Sequence, residues 1–383
     1  MNVLAIRTGA VYGALLLMVG VLLPFLPVWL SAKGFSVSDI AIALASQSIV
    51  RVTFMPVVSY LADKYRARRR FILVLTCLAC VFMVLAVLSS SVLAITTLIV
   101  LSATCWGPVV PMLDAVAVEQ AEHGHYEYGH VRIAGSVTFI IGSLGAGAML
   151  GFMEAVHLGW VLVGVHVLLA LSGFALPRLG AAKEAGAVSS PLTLSSARKV
   201  LLTSGFGLLI MVAGLTQASH AVYYGFGSLH WENLGYSGIT IGTLWSIGVV
   251  SEIILFLYAK GSIARFGPVL LLMGGAGFGI IRWGVMAFDP PLAAIVALQV
   301  LHAASYGMTH LGTIYYIRRF VASDYAGTAQ GLFGAISGGI IMTLAIALAG
   351  WAYAGMASIA YLFMAGLCLA AFVLSLLLRR LTP

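Results

Sequence analysis

The stretch PMLDAVAVEQAEHGHYEYGHVRIAGSVTF (residues 111–139) predicts a helical hairpin that crosses a membrane twice. It leaves one apolar run, passes a polar hairpin at 119–130 and enters a second apolar run. Each arm carries one charge inside its apolar part, Asp114 in the first and Arg132 in the second. On two helices, at about 1.5 Å rise per residue, Asp114 lies about 7.5 Å and Arg132 about 3 Å from the hairpin. Because an unpaired charge in hydrocarbon costs at least ~2.5–3.5 kcal/mol, we expect the two charges to pair.

The composition extends this interpretation to the whole chain. Of its 383 residues, 61% are hydrophobic and 8% are charged, whereas a soluble domain has about 25% charged residues. The net charge of +8 does not indicate a nucleic-acid partner, because the basic residues cluster at the ends of apolar runs, as topology determinants do. The composition therefore predicts a polytopic membrane protein whose partner is the lipid bilayer, and no nucleic-acid partner.

Twelve apolar runs reach the length of about 20 residues that a membrane span requires. The predicted fold class is an all-α membrane protein with twelve transmembrane helices in two six-helix bundles. The bundles are expected at 1–176 and 199–383, separated by a cytoplasmic linker at 177–198 that is rich in Ala, Gly, Ser and Pro. The predicted spans are 6–31, 37–62, 70–90, 93–118, 128–152, 157–176, 199–229, 237–259, 267–288, 291–317, 325–350 and 355–378.

The positions of Lys and Arg predict the orientation. With the amino terminus inside, all 20 except Lys33, Arg51 and Arg282 fall on the cytoplasmic side or at its helix ends. Positive residues favour the inside. We therefore expect a multi-pass protein of a bacterial inner membrane with both termini in the cytoplasm, for which a monomer suffices.

An internal repeat supports the division into two halves. The segment GFSVSDIAIALASQSIVR (34–51) aligns without gaps with GYSGITIGTLWSIGVVSE (235–252), and Trp29 and Trp231 stand just upstream. Parallel repeats of this kind are typical of secondary transporters.

Ionisable residues inside apolar spans are the main functional signal. Either they pair to hold helices together, or they line a transport pathway. Burial near mid-membrane favours the protonated form of a carboxyl group, whereas a nearby arginine favours its ionised form. Moving Arg282 relative to Glu252 would therefore switch that acid between proton capture and release, with His302 as a hydrogen-bond partner or relay. The intramembrane set is Arg51, Asp114, Arg132, Glu252, Arg282, His302 and His310.

Histidines also cluster in the polar hairpin, at His123, His125 and His130, beside Glu122 and Glu127. The cluster could bind a metal, but a short exposed hairpin is better explained as a solvated loop. We therefore predict no metal and no cofactor.

The motifs together resemble the lactose permease branch of the major facilitator superfamily, and within it the phenylpropionic acid permease group. The first span contains PFLPVWL (24–30), and residues 59–70, SYLADKYRARRR, are similar to the cytoplasmic loop signature, with Ser59 in place of the usual glycine. Further similar motifs are PMLDA (111–115), EYGHVRIAG (127–135), GVVSE (248–252), IR (281–282) and LH (301–302).

The resemblance implies roles for individual residues. Asp114, Arg132 and Phe139 become substrate-site residues, while Glu252, Arg282 and His302, with His310, become the proton-coupling set. Asp63 and Arg68 become a cytoplasmic gate, although these charges could also be topology determinants only. Trp106 and Tyr224 suit an aromatic-lined substrate cavity, or ordinary membrane packing.

Two departures from the permeases bear on substrate and coupling. Ser305 stands where the resemblance leads us to expect a glutamate that takes part in proton translocation, which leaves Glu252 as the favoured carrier and Asp114 as the second candidate. Leu255 replaces a sugar-binding amide, and losing that hydrogen bond disfavours a sugar.

The sequence thus predicts a proton symporter of a small organic solute, of the aromatic or carboxylated kind such as phenylpropionate, acting by alternating access. The alternatives are a proton-coupled drug or metabolite exporter and a sugar or nucleoside symporter on the same fold. A membrane enzyme is disfavoured because no His-Glu-x-x-His, Gly-x-Ser-x-Gly or phosphate-loop motif occurs. A non-transporting receptor would leave the mid-membrane acids without a role.

Overall fold

The computed structural model describes residues 3–122, 128–176 and 194–382, and helices make up the regular structure of this part of the chain. The α-helices are α1 (Val3–Ala32), α2 (Val37–Lys64), α3 (Arg68–Leu88), α4 (Val92–Trp106), α5 (Val109–Glu122), α6 (Tyr128–Met149), α7 (Leu158–Gly173), α8 (Leu194–Leu201), α9 (Phe206–Ala218), α10 (Ser228–Asn233), α11 (Gly238–Leu257), α12 (Ala259–Met286), α13 (Leu292–Val300), α14 (Thr309–Phe320), α15 (Ala326–Phe333), α16 (Met342–Met356) and α17 (Tyr361–Leu381).

Eleven helical stretches of the described residues are long and apolar enough to cross a membrane. The last of them, Ala326–Leu381, has 56 residues, and at about 1.5 Å per residue it is far longer than one crossing of about 30 Å requires. It is interrupted at Ala357, whose φ of 49° is outside the helical range. This stretch contains the last two predicted spans, so the prediction of an all-α protein with twelve spans is confirmed.

Two predicted boundaries differ from the structure. The span expected to begin at residue 199 begins instead at Phe206, because Gly205 adopts a left-handed conformation with φ 78° and separates α8 from α9. The polar hairpin is shorter than 119–130, since α5 continues to Glu122 and α6 already begins at Tyr128. Polar residues therefore extend the helices instead of ending them.

The internal repeat is also a repeat of backbone structure. Gly34 and Gly235 are both left-handed, with φ of 87° and 84°. The N–H of Phe35 bonds to the carbonyl of Leu30 at 3.1 Å, and the N–H of Tyr236 bonds to that of Trp231 at 3.0 Å. Both glycines thus end one helix with a Schellman-type cap and precede the first residue of the next helix by three positions.

Contacts divide the chain into two compact units. Unit 1 comprises Met1–Ala182 together with Phe226–Ser246, and unit 2 comprises Lys183–Gly225 together with Ile247–Pro383. The predicted linker at 177–198 lies mostly outside the described residues, so the predicted bundle boundaries stay a prediction.

Close backbone contact holds α1 against α6 in unit 1. A Cβ atom on Gly20 would lie 2.3 Å from the carbonyl oxygen of Phe139, and one on Gly142 would lie 2.5 Å from that of Leu17. Only glycine allows this approach. The contact fixes α6, and hence Arg132, relative to α1.

In unit 2, a buried apolar cluster packs α9, α12, α14 and α17 together; it includes Phe206, Leu272, Tyr316 and Leu378. Three π-helical segments, Tyr223–Gly227, Ala303–Met308 and Gly334–Ile341, occur among the described residues. Such segments are frequent at functional sites. The first two adjoin the buried charges described below.

Candidate functional site

In unit 1 the predicted charge pair forms between α5 and α6. Arg132 Nη1 lies 3.4 Å from Asp114 Oδ1, and the side chains are 56% and 33% exposed. The hydroxyl of Tyr12, which is buried on α1, donates to the same carboxylate oxygen. Asp114 is therefore anchored from the protein side, while the arginine remains largely accessible.

The predicted aromatic residues take different environments. Phe139, seven residues after Arg132 on α6, and Trp106, at the end of α4, are both buried. Tyr224 of unit 2 is half-buried, within the π-helical segment Tyr223–Gly227. Their roles in substrate binding stay a prediction.

The two predicted gate residues, Asp63 and Arg68, lie close together at the junction of α2 and α3. Arg68 Nε contacts Asp63 Oδ1, and Arg68 Nη1 lies 3.5 Å from Glu119 Oε2 of α5. The neighbouring Arg69 donates to the carbonyl of Leu176 at 2.8 Å, just beyond the end of α7. One loop therefore joins the ends of four helices.

In unit 2 the predicted coupling residues form one buried network centred on Arg282 of α12. Arg282 is fully buried. Its Nη1 lies 2.8 Å from His302 Nδ1, and its Nη2 donates to Gln299 Oε1 at 2.9 Å. His302 Nε2 in turn lies 2.7 Å from Glu252 Oε1 of α11. His302 thus bridges the arginine and the acid.

The donors in this network determine the protonation of the imidazole. A guanidinium nitrogen can only donate, so His302 Nδ1 must accept from Arg282. Nε2 then carries the hydrogen and donates to Glu252. The arrangement therefore consists of a cation, a neutral imidazole and an acceptor carboxylate in series.

A second branch leaves Arg282 through Ser305. Arg282 Nη1 donates to Ser305 Oγ at 3.2 Å, and Ser305 Oγ lies 3.3 Å from Nε2 of the buried His220. His220 Nδ1 contacts the backbone carbonyl of Gln217 at 3.1 Å, so Nδ1 carries the hydrogen and Nε2 accepts from the serine hydroxyl. The hydroxyl in place of the expected glutamate is therefore a neutral link between Arg282 and His220.

Aromatic rings surround the cation. The Arg282 guanidinium lies 5.0 Å from the Tyr223 ring centroid and 4.3 Å from that of Trp283, within the range of cation–π attraction. Tyr306 stacks on His302 at 5.4 Å and on His310 at 6.2 Å. His310 thus adjoins the network through Tyr306.

Sequence reasoning missed Gln299 and Tyr12, did not assign His220 to the network, and did not identify Ser305 as a ligand of Arg282. Gln299 and His220 are polar residues inside apolar spans, which is a usable but weak signal. Tyr12 carries no such signal, since tyrosine is common in membrane helices.

The predicted histidine cluster of the hairpin lies outside the described residues at 123–127. The side chains of Glu122 and His130 are also not described. The same holds for the side chain of Arg51. Among the described residues, no group of three or more His, Cys, Asp or Glu side chains that could hold a metal ion is found.

Comparison with known proteins places this architecture among transporters. The sequence model of the MFS_1 like family matches residues 10–365. The chain is 29% identical to the probable 3-phenylpropionic acid transporter of Escherichia coli (strain K12), over 87% of each chain. It is 27% identical to the maltose permease of Geobacillus stearothermophilus, over 84% of this chain and 80% of the relative.

A solved structure shares the fold over the whole length. The crystal structure of the nucleoside transporter NupG superposes with a TM-score of 0.85, covering 100% of this chain and 99% of that chain at 16% identity. The predicted resemblance to a major facilitator permease similar to the phenylpropionic acid group is confirmed by the family match and the relatives.

Proposed function

The chain belongs to the MFS_1 like family of membrane transporters, and from this premise we propose that it is a proton-coupled symporter of a small organic acid, acting by alternating access. We place it in a bacterial inner membrane with both termini in the cytoplasm. The observation that carries the proposal is the series Arg282–His302–Glu252, because it holds an ionisable acid two hydrogen bonds from a fully buried cation.

Glu252 is the proposed proton carrier. Its side chain is 16% exposed, and its Oε1 lies 2.7 Å from Nε2 of His302. When Glu252 takes up a proton, the carboxylate that balances Arg282 is neutralised. A buried cation without its counter-charge is costly, so we expect protonation to favour a rearrangement of this network.

Arg132 is the proposed recognition group for the substrate carboxylate. Its guanidinium is more than half exposed and contacts Asp114 only at 3.4 Å, so it keeps donors for a second carboxylate. Support for an aromatic acid comes from the similarity to the probable 3-phenylpropionic acid transporter. Leu255, which packs toward Gly307, offers no amide to a sugar.

The test is uptake of radiolabelled 3-phenylpropionate into proteoliposomes under an imposed inward proton gradient. We expect gradient-driven accumulation in the wild type and none in Glu252→Gln. The same variant should still exchange substrate across the membrane at equilibrium, because the binding residues are intact. Glu154→Gln, which alters an exposed loop acid of unit 1, is the matched control and should accumulate substrate normally.

Two outcomes would contradict the proposal separately. Accumulation by Glu252→Gln at the wild-type level would remove Glu252 as the carrier. Wild-type vesicles that accumulate a sugar or nucleoside but no aromatic acid would overturn the substrate class, while accumulation under an outward gradient only would favour an exporter.

A further inference from the structure

Five exposed arginines lie at one end of unit 2. At this end α12 is interrupted by the non-helical Gly267 (φ 70°), and α14 and α17 end. The five arginines are Arg265, Arg318, Arg319, Arg379 and Arg380. By the predicted orientation, this end faces the cytoplasm. Positive residues are common there, so charge alone assigns no function to them.

Two adjoining cavities distinguish this cluster from a simple topology signal. One, of about 310 Å³, is lined by Gly267, Pro268, Tyr315, Arg318 and Arg319. The other, of about 180 Å³, shares Gly267, Pro268 and Arg319 and is also lined by Phe266, Val269, Leu270, Phe320, Arg379 and Thr382. Arg319 lines both, so the side chains of Arg318, Arg319 and Arg379 line two adjoining cavities between α12, α14 and α17, which are together called the recess.

The three arginines of the recess differ from the paired arginines of the described residues in their ion pairing. Among the described residues, no carboxylate forms an ion pair with Arg318, Arg319 or Arg379. The α2–α3 loop of unit 1 differs, because Arg68 there pairs with both Asp63 and Glu119. Three like charges around one recess repel each other, and an anion bound between them would relieve that repulsion.

The apolar flank indicates which anion fits. Phe266 and Leu270 line the smaller cavity and are 48% and 38% exposed, in a chain whose spans face lipid. Such an apolar surface does not stabilise a free phosphate ion, whereas an acyl chain can pack against it. Guanidinium forks match phosphate oxygens in geometry as well as charge.

We propose that this recess binds the headgroup of an anionic phospholipid, with Arg318, Arg319 and Arg379 on the phosphate and an acyl chain along Phe266 and Leu270. Basic pockets between membrane helices on the cytoplasmic side are suited to anionic headgroups. The site is separate from both charged sites described above, and it does not depend on the proposed transport function.

Native mass spectrometry of the full-length, delipidated protein tests the proposal. Phosphatidylglycerol and phosphatidylcholine are added in turn, and the bound fraction is measured. We expect phosphatidylglycerol to bind the wild type in preference to phosphatidylcholine. Removing one arginine of the recess should weaken binding roughly fivefold, and Arg318→Gln/Arg319→Gln/Arg379→Gln should abolish the preference.

The matched control is Arg7→Gln/Arg198→Gln/Arg380→Gln, which removes three exposed arginines that do not line the recess. It should retain the preference. Equal loss in this control would overturn the proposal in favour of general attraction by charge. So would equal binding of phosphatidylcholine, or complete displacement of the lipid by inorganic phosphate at matched concentration.

A folding defect in the triple variant would not leave the question open. Arg319→Gln alone affects both cavities, and its thermal unfolding in detergent reports whether it is folded. Wild-type stabilisation by phosphatidylglycerol that persists unchanged in a folded Arg319→Gln protein would overturn the site.

Discussion

The two charged sites of this protein accommodate ions within apolar helices in opposite ways. Arg132 and Asp114 form an ion pair whose side chains are 56% and 33% exposed. Arg282 is fully buried and contacts two neutral side chains, one imidazole and two aromatic rings before any carboxylate is reached. An exposed pair contributes little to stability, whereas a buried cation depends on every ligand it has.

This difference suggests a division of tasks. A site that exchanges ligands must not rely on its internal pair for the fold, and the unit 1 pair fits that requirement. A site that couples protonation to structure must lose stability when it is disturbed, and the unit 2 network fits this second requirement. The apparent stability of variants of the two sites in detergent tests this contrast.

The largest effect is expected for Arg282→Met. Methionine fills much of the volume but leaves His302 Nδ1, Gln299 Oε1 and Ser305 Oγ without their donor. Breaking a buried charged network by removing one member costs about 3–5 kcal/mol, so thermal unfolding should shift strongly downward. An unchanged melting temperature would show that the network is not under this constraint.

Tyr12→Phe should cost about 1.5 kcal/mol, since it removes one hydrogen bond to a carboxylate. The change should also loosen Asp114 and lower substrate affinity without abolishing proton coupling. Equilibrium binding and gradient-driven uptake measure the two separately. Tyr236→Phe, at a partly exposed tyrosine outside the site, serves as the control.

Gly248→Ala tests how tightly His302 is positioned. The added Cβ would lie 3.3 Å from His302 Cδ2, so the ring must shift by a few tenths of an ångström. We expect a cost of about 1 kcal/mol, at the low end for overpacking, and weaker proton coupling. Gly284→Ala, where nothing lies within 4 Å of the new Cβ, should leave both quantities unchanged.

The smallest effect on stability is expected for Arg132→Gln, under about 1 kcal/mol because the pair is exposed. Its effect on binding should nevertheless be large, as the substrate carboxylate loses its charged partner. A melting temperature that falls as far as for Arg282→Met would erase the contrast between the two sites. Isothermal titration calorimetry with 3-phenylpropionate measures the loss of substrate affinity.

Sequence reasoning located the two sites but did not describe them equally well. Asp114 and Arg132 stand within two turns of one hairpin on its two arms, so local geometry predicts that they meet, and they do. Glu252, Arg282 and His302 were assigned to one set by their positions inside apolar spans and by the resemblance, and the structure also brings them together. Their order, with the histidine between the charges, did not follow from the sequence.

The reason lies in the helices that carry these residues. His302 precedes a π-helical segment, and Ser305 lies within it. One extra residue in a turn rotates everything beyond it by about 100° relative to a regular helix. Periodicity therefore does not tell which of the residues from 299 to 310 face Arg282.

The sequence by itself determined the membrane class, the spans and the internal repeat that places Gly34 and Gly235 at equivalent positions. These properties depend on the length and polarity of local segments. Only the tertiary structure decided the ligands of Arg282 and the convergence of Arg318, Arg319 and Arg379 on one recess. Those contacts join helices far apart in the chain, and they depend on how each helix is rotated about its axis when it packs.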